Sequence, residues 1–146
     1  MKARDILAVK GKRVVTADAD CLLIDAMAIF FANKIGSLLV VDKNDSILGI
    51  IAPNDILRAV HKDLDKAVSL RVKDAMIKNL IVATPDDSIE YIQAIMTENR
   101  IRHIPILDQG KLAGVISIGD ILKAYMTEKN VEIKYLQDYI EDRYPA

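Results

Sequence analysis

Apolar positions along the chain switch between a helical and a strand period, and the order of the switches repeats. In the second half, Leu80-Ile81-Val82-Ala83 is a short apolar run that predicts a buried strand, and Thr84-Pro85-Asp86-Asp87-Ser88 follows with turn and capping residues. A helix is predicted to start near Ser88. Ile89, Ile92 and Met96 share one face of it, Ile95 lies beside them, and the stripe runs to Asn99. Two further apolar runs, 103–107 and 111–116, flank Asp108-Gln109-Gly110, a spacing that predicts a β-hairpin. A closing helix is predicted from Asp120 to about Tyr125.

The first half reads in the same order: strand, helix, strand, strand, helix. Residues 18–42 align with 84–108 without a gap, and 49–60 align with 114–125 once one turn residue is dropped; 12 of the 37 pairs are identical. Asp20/Asp86, Ala28/Ala94, Asn33/Asn99, Ile35/Ile101, Asp42/Asp108, Gly49/Gly114 and Asp55/Asp120 are among them. Two copies of one β-α-β-β-α unit follow. The extra residue of the first copy falls in the turn Asp42-Lys43-Asn44-Asp45-Ser46, and its closing helix is predicted from Asp55 to about His61.

Two helices cannot cover both faces of three short strands. The copies are therefore expected to pack sheet against sheet as one pseudo-twofold α/β (α+β) domain. Residues 62–79 link them, and Val68, Leu70, Val72, Ala75 and Met76 predict a packed short helix there. Near the C-terminus, Ile133, Leu136 and Ile140 fall at i, i+3 and i+7, with Tyr135 and Tyr139 extending the stripe. An amphipathic helix is predicted over about 128–141, docked on the module or across a dimer, with Pro145 as its stop. The organisation expected is 2–62 for the first copy with an N-terminal helix, 63–127 for the linker helix and second copy, and 128–146 for the C-terminal helix.

Composition narrows the function classes. Of 146 residues 51% are apolar, and 20 basic residues nearly balance 21 acidic ones, which fits a folded core and disfavours nucleic acid as a partner. Cys21 is the single cysteine, so one chain can build neither a disulfide nor a cysteine-ligated metal site, and a reducing, cytoplasmic setting is expected. The opening Met1-Lys2-Ala3-Arg4-Asp5 is charged and has no long apolar stretch behind it, so no membrane association is expected. There is no Walker-type glycine loop, zinc spacing, nucleophile elbow or Rossmann fingerprint, and the two histidines stand 42 residues apart. Asp42-Lys43-Asn44-Asp45 lacks the downstream ligands of a calcium loop. The chain reads as a non-enzyme without catalytic or metal-ligating residues.

One segment carries candidate chemistry. Asp120 can accept hydrogen bonds from ligand hydroxyls, and Ser117 with the backbone N–H groups of Ile118 and Gly119 forms a natural phosphate cradle at a helix start. Arg102 and His103 can add charge and hydrogen bonds. The same Ser-x-x-Asp spacing also reads as a plain helix cap. In the first copy Ala52 replaces the serine and Pro53 has no N–H, so the Asp55 site is expected to be the weaker one.

The runs Arg100-Ile-Arg-His-Ile-Pro-Ile106 and Gly114-Val-Ile-Ser-Ile-Gly-Asp120, with Lys34-Ile-Gly-Ser-Leu-Leu-Val40 and Gly49-Ile-Ile-Ala-Pro-Asn-Asp55 in the first copy, resemble the paired motifs of the cystathionine-β-synthase (CBS) family, the Bateman module. The resemblance extends from about residue 2 to about 141. It implies an adenine nucleotide in clefts between the motifs, acting as a regulatory ligand, with no cofactor required. AMP is favoured, with ATP, ADP and NAD(H) as further options. Backbone groups of Val82, Ala83 and Thr84 would read the adenine edge, Ile101 and Ile104 would sandwich the ring, and Arg100 and Pro105 complete the binding stretch. The weaker site would use Thr16, Asp18, Lys34, Ile35, Gly36, Ser37, Leu38, Asn54 and Asp55. The resemblance also implies a homodimer, and a separate effector protein would read the ligand state. The alternative is a ligand-free structural or interaction module acting through dimer contacts.

Overall fold

The computed structural model describes residues 1–11 and 13–143 and is α+β, with helices alternating with the strands of two small sheets. After helix α1 (Ala3–Lys10), the first copy forms β1 (Thr16–Asp18), α2 (Leu23–Asn33), β2 (Leu38–Val41), β3 (Ile47–Ile51) and α3 (Pro53–Lys62). Strand β2 is central, parallel to β1 with Thr16 opposite Leu39, and antiparallel to β3 with Leu38 opposite Ile51. The turn between β2 and β3 closes on Asp42, whose Oδ1 accepts from the N–H groups of Asn44 and Ser46.

In the linker, a 3₁₀ turn (Leu64–Lys66) precedes the single-turn helix α4 (Val72–Ala75). Val72 is fully buried, as the pattern predicts, but Val68 is 71% exposed. It sits in a turn where Ser69 and Leu70 both donate to the Lys66 carbonyl, and the turn aims its side chain outward. Val72 joins Leu23, Ala26, Phe30, Leu38, Val40, Ile51 and Ile56 in the core of a compact unit spanning Arg13–Ile81.

The second copy forms α5 (Ile89–Asn99), β4 (His103–Asp108), β5 (Lys111–Ser117) and α6 (Ile118–Arg143). Ser88 caps α5 by accepting from the Tyr91 N–H, and Ile89, Ile92 and Met96 are the buried stripe. Strands β4 and β5 pair across Gln109 and Gly110, both at positive φ, as a two-residue hairpin turn requires. The strand predicted over 80–83 shrinks to one parallel bridge between Ala83 and Ile106. The ladder stops because the Thr84 N–H turns back to Asp87 Oδ2 and Pro85 has no N–H to offer.

Sequence order and packing diverge at α1. It precedes the first copy in the chain, yet Ala3, Ile6 and Leu7 lie in the core of the second, with Ile89, Ile92, Ile104, Ile106, Ile116 and Ile121. The two short helices play matching parts. In each, the residue at N3 (Asp5 or Asp74) accepts from the N-cap backbone N–H of Lys2 or Arg71. Each unit also sets a glycine against this segment: Leu7 of α1 faces Gly114, and Met76, just after α4, faces Gly49.

The C-terminal segment departs from expectation. In place of a closing helix and a separate tail helix, the chain forms one helix of 26 residues, because no glycine or proline interrupts 120–143. Ile133, Leu136 and Ile140 are each about half exposed, so this stripe is not docked within the chain. The predicted stop at Pro145 lies outside the described residues. No helix among the described residues is long and apolar enough to cross a membrane.

Candidate functional site at the head of helix α6

Strand β5 ends at Ser117 and α6 begins at Ile118, so the Ser117 side chain falls at the N-cap and Asp120 at N3. The pair closes a reciprocal capping box. Ser117 Oγ accepts from the Asp120 N–H at 3.1 Å, and Asp120 Oδ2 accepts from the Ser117 N–H at 2.8 Å. A third group completes the cluster. Lys10 Nζ, from the last turn of α1, donates to Asp120 Oδ2 at 2.7 Å and to the Val115 carbonyl at 2.7 Å.

The hairpin register sets His103 opposite Ser117 and brings its imidazole into the same neighbourhood. Burial pushes the imidazole below its ordinary value, and the Lys10 and Arg102 charges push the same way against the pull of Asp120. His103 is therefore neutral at pH 7. For Asp120, burial pushes the carboxyl up, but the Lys10 hydrogen bond and charge and the Ser117 donors together outweigh it. The carboxyl is held below the ordinary carboxylate value. Asp120 is thus a partly buried, ionised acceptor whose Oδ1 has no partner among the described residues. Sequence reasoning missed Lys10, which reaches the site only because α1 docks on this copy.

The structure brings Ser117, Asp120 and His103 together, and leaves Arg102 exposed on the adjoining segment. Gly119 is open, since a Cβ built there would meet only Ser117 Oγ at 3.6 Å. Three expectations need correction. The Ile118 N–H donates to the Arg102 carbonyl at 2.8 Å and so is engaged in the fold and not available to a phosphate cradle. Ile104 is fully buried in the core of this copy, and the half-buried Ile101 packs against that same core, so the Ile104 side chain has no open face to sandwich a base with Ile101. Ala83 is likewise buried, and both its N–H and its carbonyl are taken by the bridge to β4. Val82 and Thr84 stay exposed, Pro105 is buried, and Arg100 is the left-handed C-cap of α5.

The first copy repeats the backbone but not the chemistry. Asp55 Oδ2 accepts from the Ala52 N–H at 2.8 Å, the same half-box, but Ala52 has no hydroxyl to return. The ion pair is with Arg58 of its own helix, at 3.2 Å. Pro53 and Asn54 occupy N1 and N2 and are exposed, and Ser37 is half-buried. Lys34 is the left-handed C-cap of α2, and Gly36 and Thr16 are exposed. Asp18 turns back on its own loop, accepting from the Asp20 N–H. Ile35 packs on the core, and Leu38 is fully buried there and cannot face a ligand.

Comparison with known proteins decides the family. The CBS domain profile matches residues 3–62 and 72–127, most of the chain, in two segments. The chain belongs to the CBS domain family. This CBS pair is 31% identical over 148 residues to the mitochondrial CBS domain-containing protein CBSX3 of Arabidopsis thaliana, covering 96% of this chain and 72% of that one. It superimposes on the crystal structure of a CBS-domain-containing protein from Agrobacterium tumefaciens with a TM-score of 0.83 at 35% identity, covering 85% of this chain and 92% of that one. It also shares its fold with the CBS pair of protein MJ0100, solved in complex with 5′-methylthioadenosine and S-adenosyl-L-methionine. There the TM-score is 0.76 at 23% identity, over 88% of this chain and 98% of that one. Each half of the CBS pair thus corresponds to one of the two motifs read from the repeat.

Proposed function

We propose that this CBS pair is a regulatory module that binds an adenine nucleotide at the head of α6, with AMP the favoured ligand, and that it catalyses no reaction on it. The observation that carries the reading is the cluster of Ser117, Asp120, Lys10 and His103. An ionised carboxylate with one oxygen unpartnered among the described residues suits a ribose diol, and the adjoining hydroxyl, ammonium and imidazole suit a phosphate. The adenosine ligands named for the MJ0100 pair supply the precedent. A carboxyl held below its ordinary range is poorly matched to proton transfer near pH 7, which favours binding over catalysis.

The module works as a homodimer in a cytoplasmic, reducing setting, and the open stripe of Ile133, Leu136 and Ile140 supplies apolar area for the partner copy. A separate effector protein reads the ligand state, which requires ligand to favour one arrangement of the module over another. The Asp55 site is the weaker of the two. The test is a thermal-shift and calorimetry panel of AMP, ADP, ATP, NADH and S-adenosylmethionine. Saturable AMP binding that Asp120→Ala weakens by more than tenfold is expected, and no response to any of the five overturns the reading in favour of a ligand-free interaction module.

A further inference from the structure

We propose that Lys10 makes the α6 site selective for phosphate-bearing adenine nucleotides over uncharged or cationic adenosine ligands, an inference that rests on the assignment of adenine-nucleotide binding to this site. The ammonium of Lys10 has three N–H donors. Two are fixed, on the Val115 carbonyl and on Asp120 Oδ2, and one remains for a ligand oxygen. Because Asp120 is itself pinned by the Ser117 N–H, the ammonium is oriented before any ligand arrives, which lowers the ordering cost of binding.

The charge balance points the same way. Asp120 alone would give the head of α6 a negative charge that repels phosphate. Lys10 cancels it at contact distance, and Arg102 on the adjoining segment tips the local balance positive while His103 stays neutral. The first copy lacks this arrangement. Gly36 aligns with Arg102, and the cation on Asp55 is Arg58, whose side chain is 71% exposed and largely screened by water. Among the described residues no segment takes the part of Lys10 beside Asp55, because α4 ends after one turn and the chain then pairs Ile77 with Ile50.

Binding is read by NMR at the His103 imidazole, which reports the α6 site alone, in titrations of the full chain with AMP, adenosine and S-adenosylmethionine. Wild type, Lys10→Met and Lys10→Arg are compared, with melting temperatures measured alongside. The expected result is that Lys10→Met weakens AMP by roughly tenfold, leaves adenosine within about twofold and narrows the gap to S-adenosylmethionine, while Lys10→Arg restores most of the AMP preference. An AMP-to-adenosine ratio unchanged in Lys10→Met overturns the proposal, as does an equal loss of all three ligands, which would make Lys10 only a support for Asp120. If the wild-type chain binds none of the three, the site assignment itself falls and this inference with it, a failure visible before any substitution is made.

Discussion

At the head of α3, Asp55 holds the Ala52 N–H and an arginine of its own helix; at the head of α6, Asp120 holds the Ser117 N–H, receives a hydroxyl cap in return, and is tied to a lysine from a helix more than a hundred residues earlier in the chain. The backbone is the same and the helix starts at the same place. What differs is where the cation comes from. A cation on the next turn of the same helix needs only local sequence, and it stays in solvent. A cation delivered by another helix is partly buried, and its position depends on that helix docking correctly. One fold motif repeated twice can in this way support a plain helix start in one copy and a charged site in the other.

The sharpest break between the copies should come from their matched glycines. A Cβ at Gly49 would sit 2.7 Å from the Ile77 carbonyl oxygen, a backbone atom held by its bridge to Ile50, whereas a Cβ at Gly114 would meet the Cδ2 of Leu7, the end of a flexible side chain. Gly49→Ala is therefore expected to lower stability by about 1–3 kcal/mol or more, and Gly114→Ala by less. Urea unfolding of both variants checks the order, and equal losses would mean that α1 is packed as rigidly as the segment after α4.

Next in size is the carboxylate pair. Asp120→Ala should weaken AMP by more than tenfold, since a hydrogen bond to a charged group is worth about 1.5–3 kcal/mol. It should also lower the melting temperature, because the box and the Lys10 tie are lost together. Asp55→Ala should lower stability without comparable loss of AMP binding. Calorimetry beside thermal melts separates the two effects, and similar AMP losses in both would make the sites equivalent.

A smaller effect is expected from exchanging the caps. Ser117→Ala should cost about 0.5–2 kcal/mol, and Ala52→Ser should stabilise the first copy by a similar or smaller amount because it supplies the missing half of the box. Chemical denaturation measures both, and a destabilising Ala52→Ser would show that the α3 start has no room for the hydroxyl.

The smallest effect is on pH dependence, and it also belongs to the second copy. His103 is held below its ordinary value of 6.5 in the folded chain, so the unfolded chain binds a proton first as pH falls. Stability should be complete above that value and decline as pH drops through it toward the folded-state value. His103→Gln should remove this part of the slope. Asp120, also held below its ordinary value, acts in a lower window: its contribution is present above about 3.8 and is lost as pH falls through the folded value. A pH series of melts on the two variants would separate the windows.

Much of the architecture could be read from the residues in order. Periodicity located α5 and the Asp108-Gln109-Gly110 turn marked the hairpin, because each is a contest between neighbouring residues in the chain, and the twelve identities of the repeat placed the matching elements in the first half. Ser117 and Asp120 were likewise visible as a spacing that a helix start needs. The sequence by itself could not assign α1 to the second copy, and so could not bring Lys10 to Asp120. It could not show that Ile104, Leu38 and Ala83 are buried on the core side, or that the Ile118 N–H is already held by Arg102. Nor did its stripe reveal that Ile133, Leu136 and Ile140 stay open within the chain. Those outcomes depend on which surface an amphipathic segment buries against and on which partner a polar group meets. Local sequence determined the order and type of most elements and which residues are able to bond. Only packing between segments far apart in the chain decided which of them meet, because burial energy scales with the area two surfaces share and not with their separation in sequence.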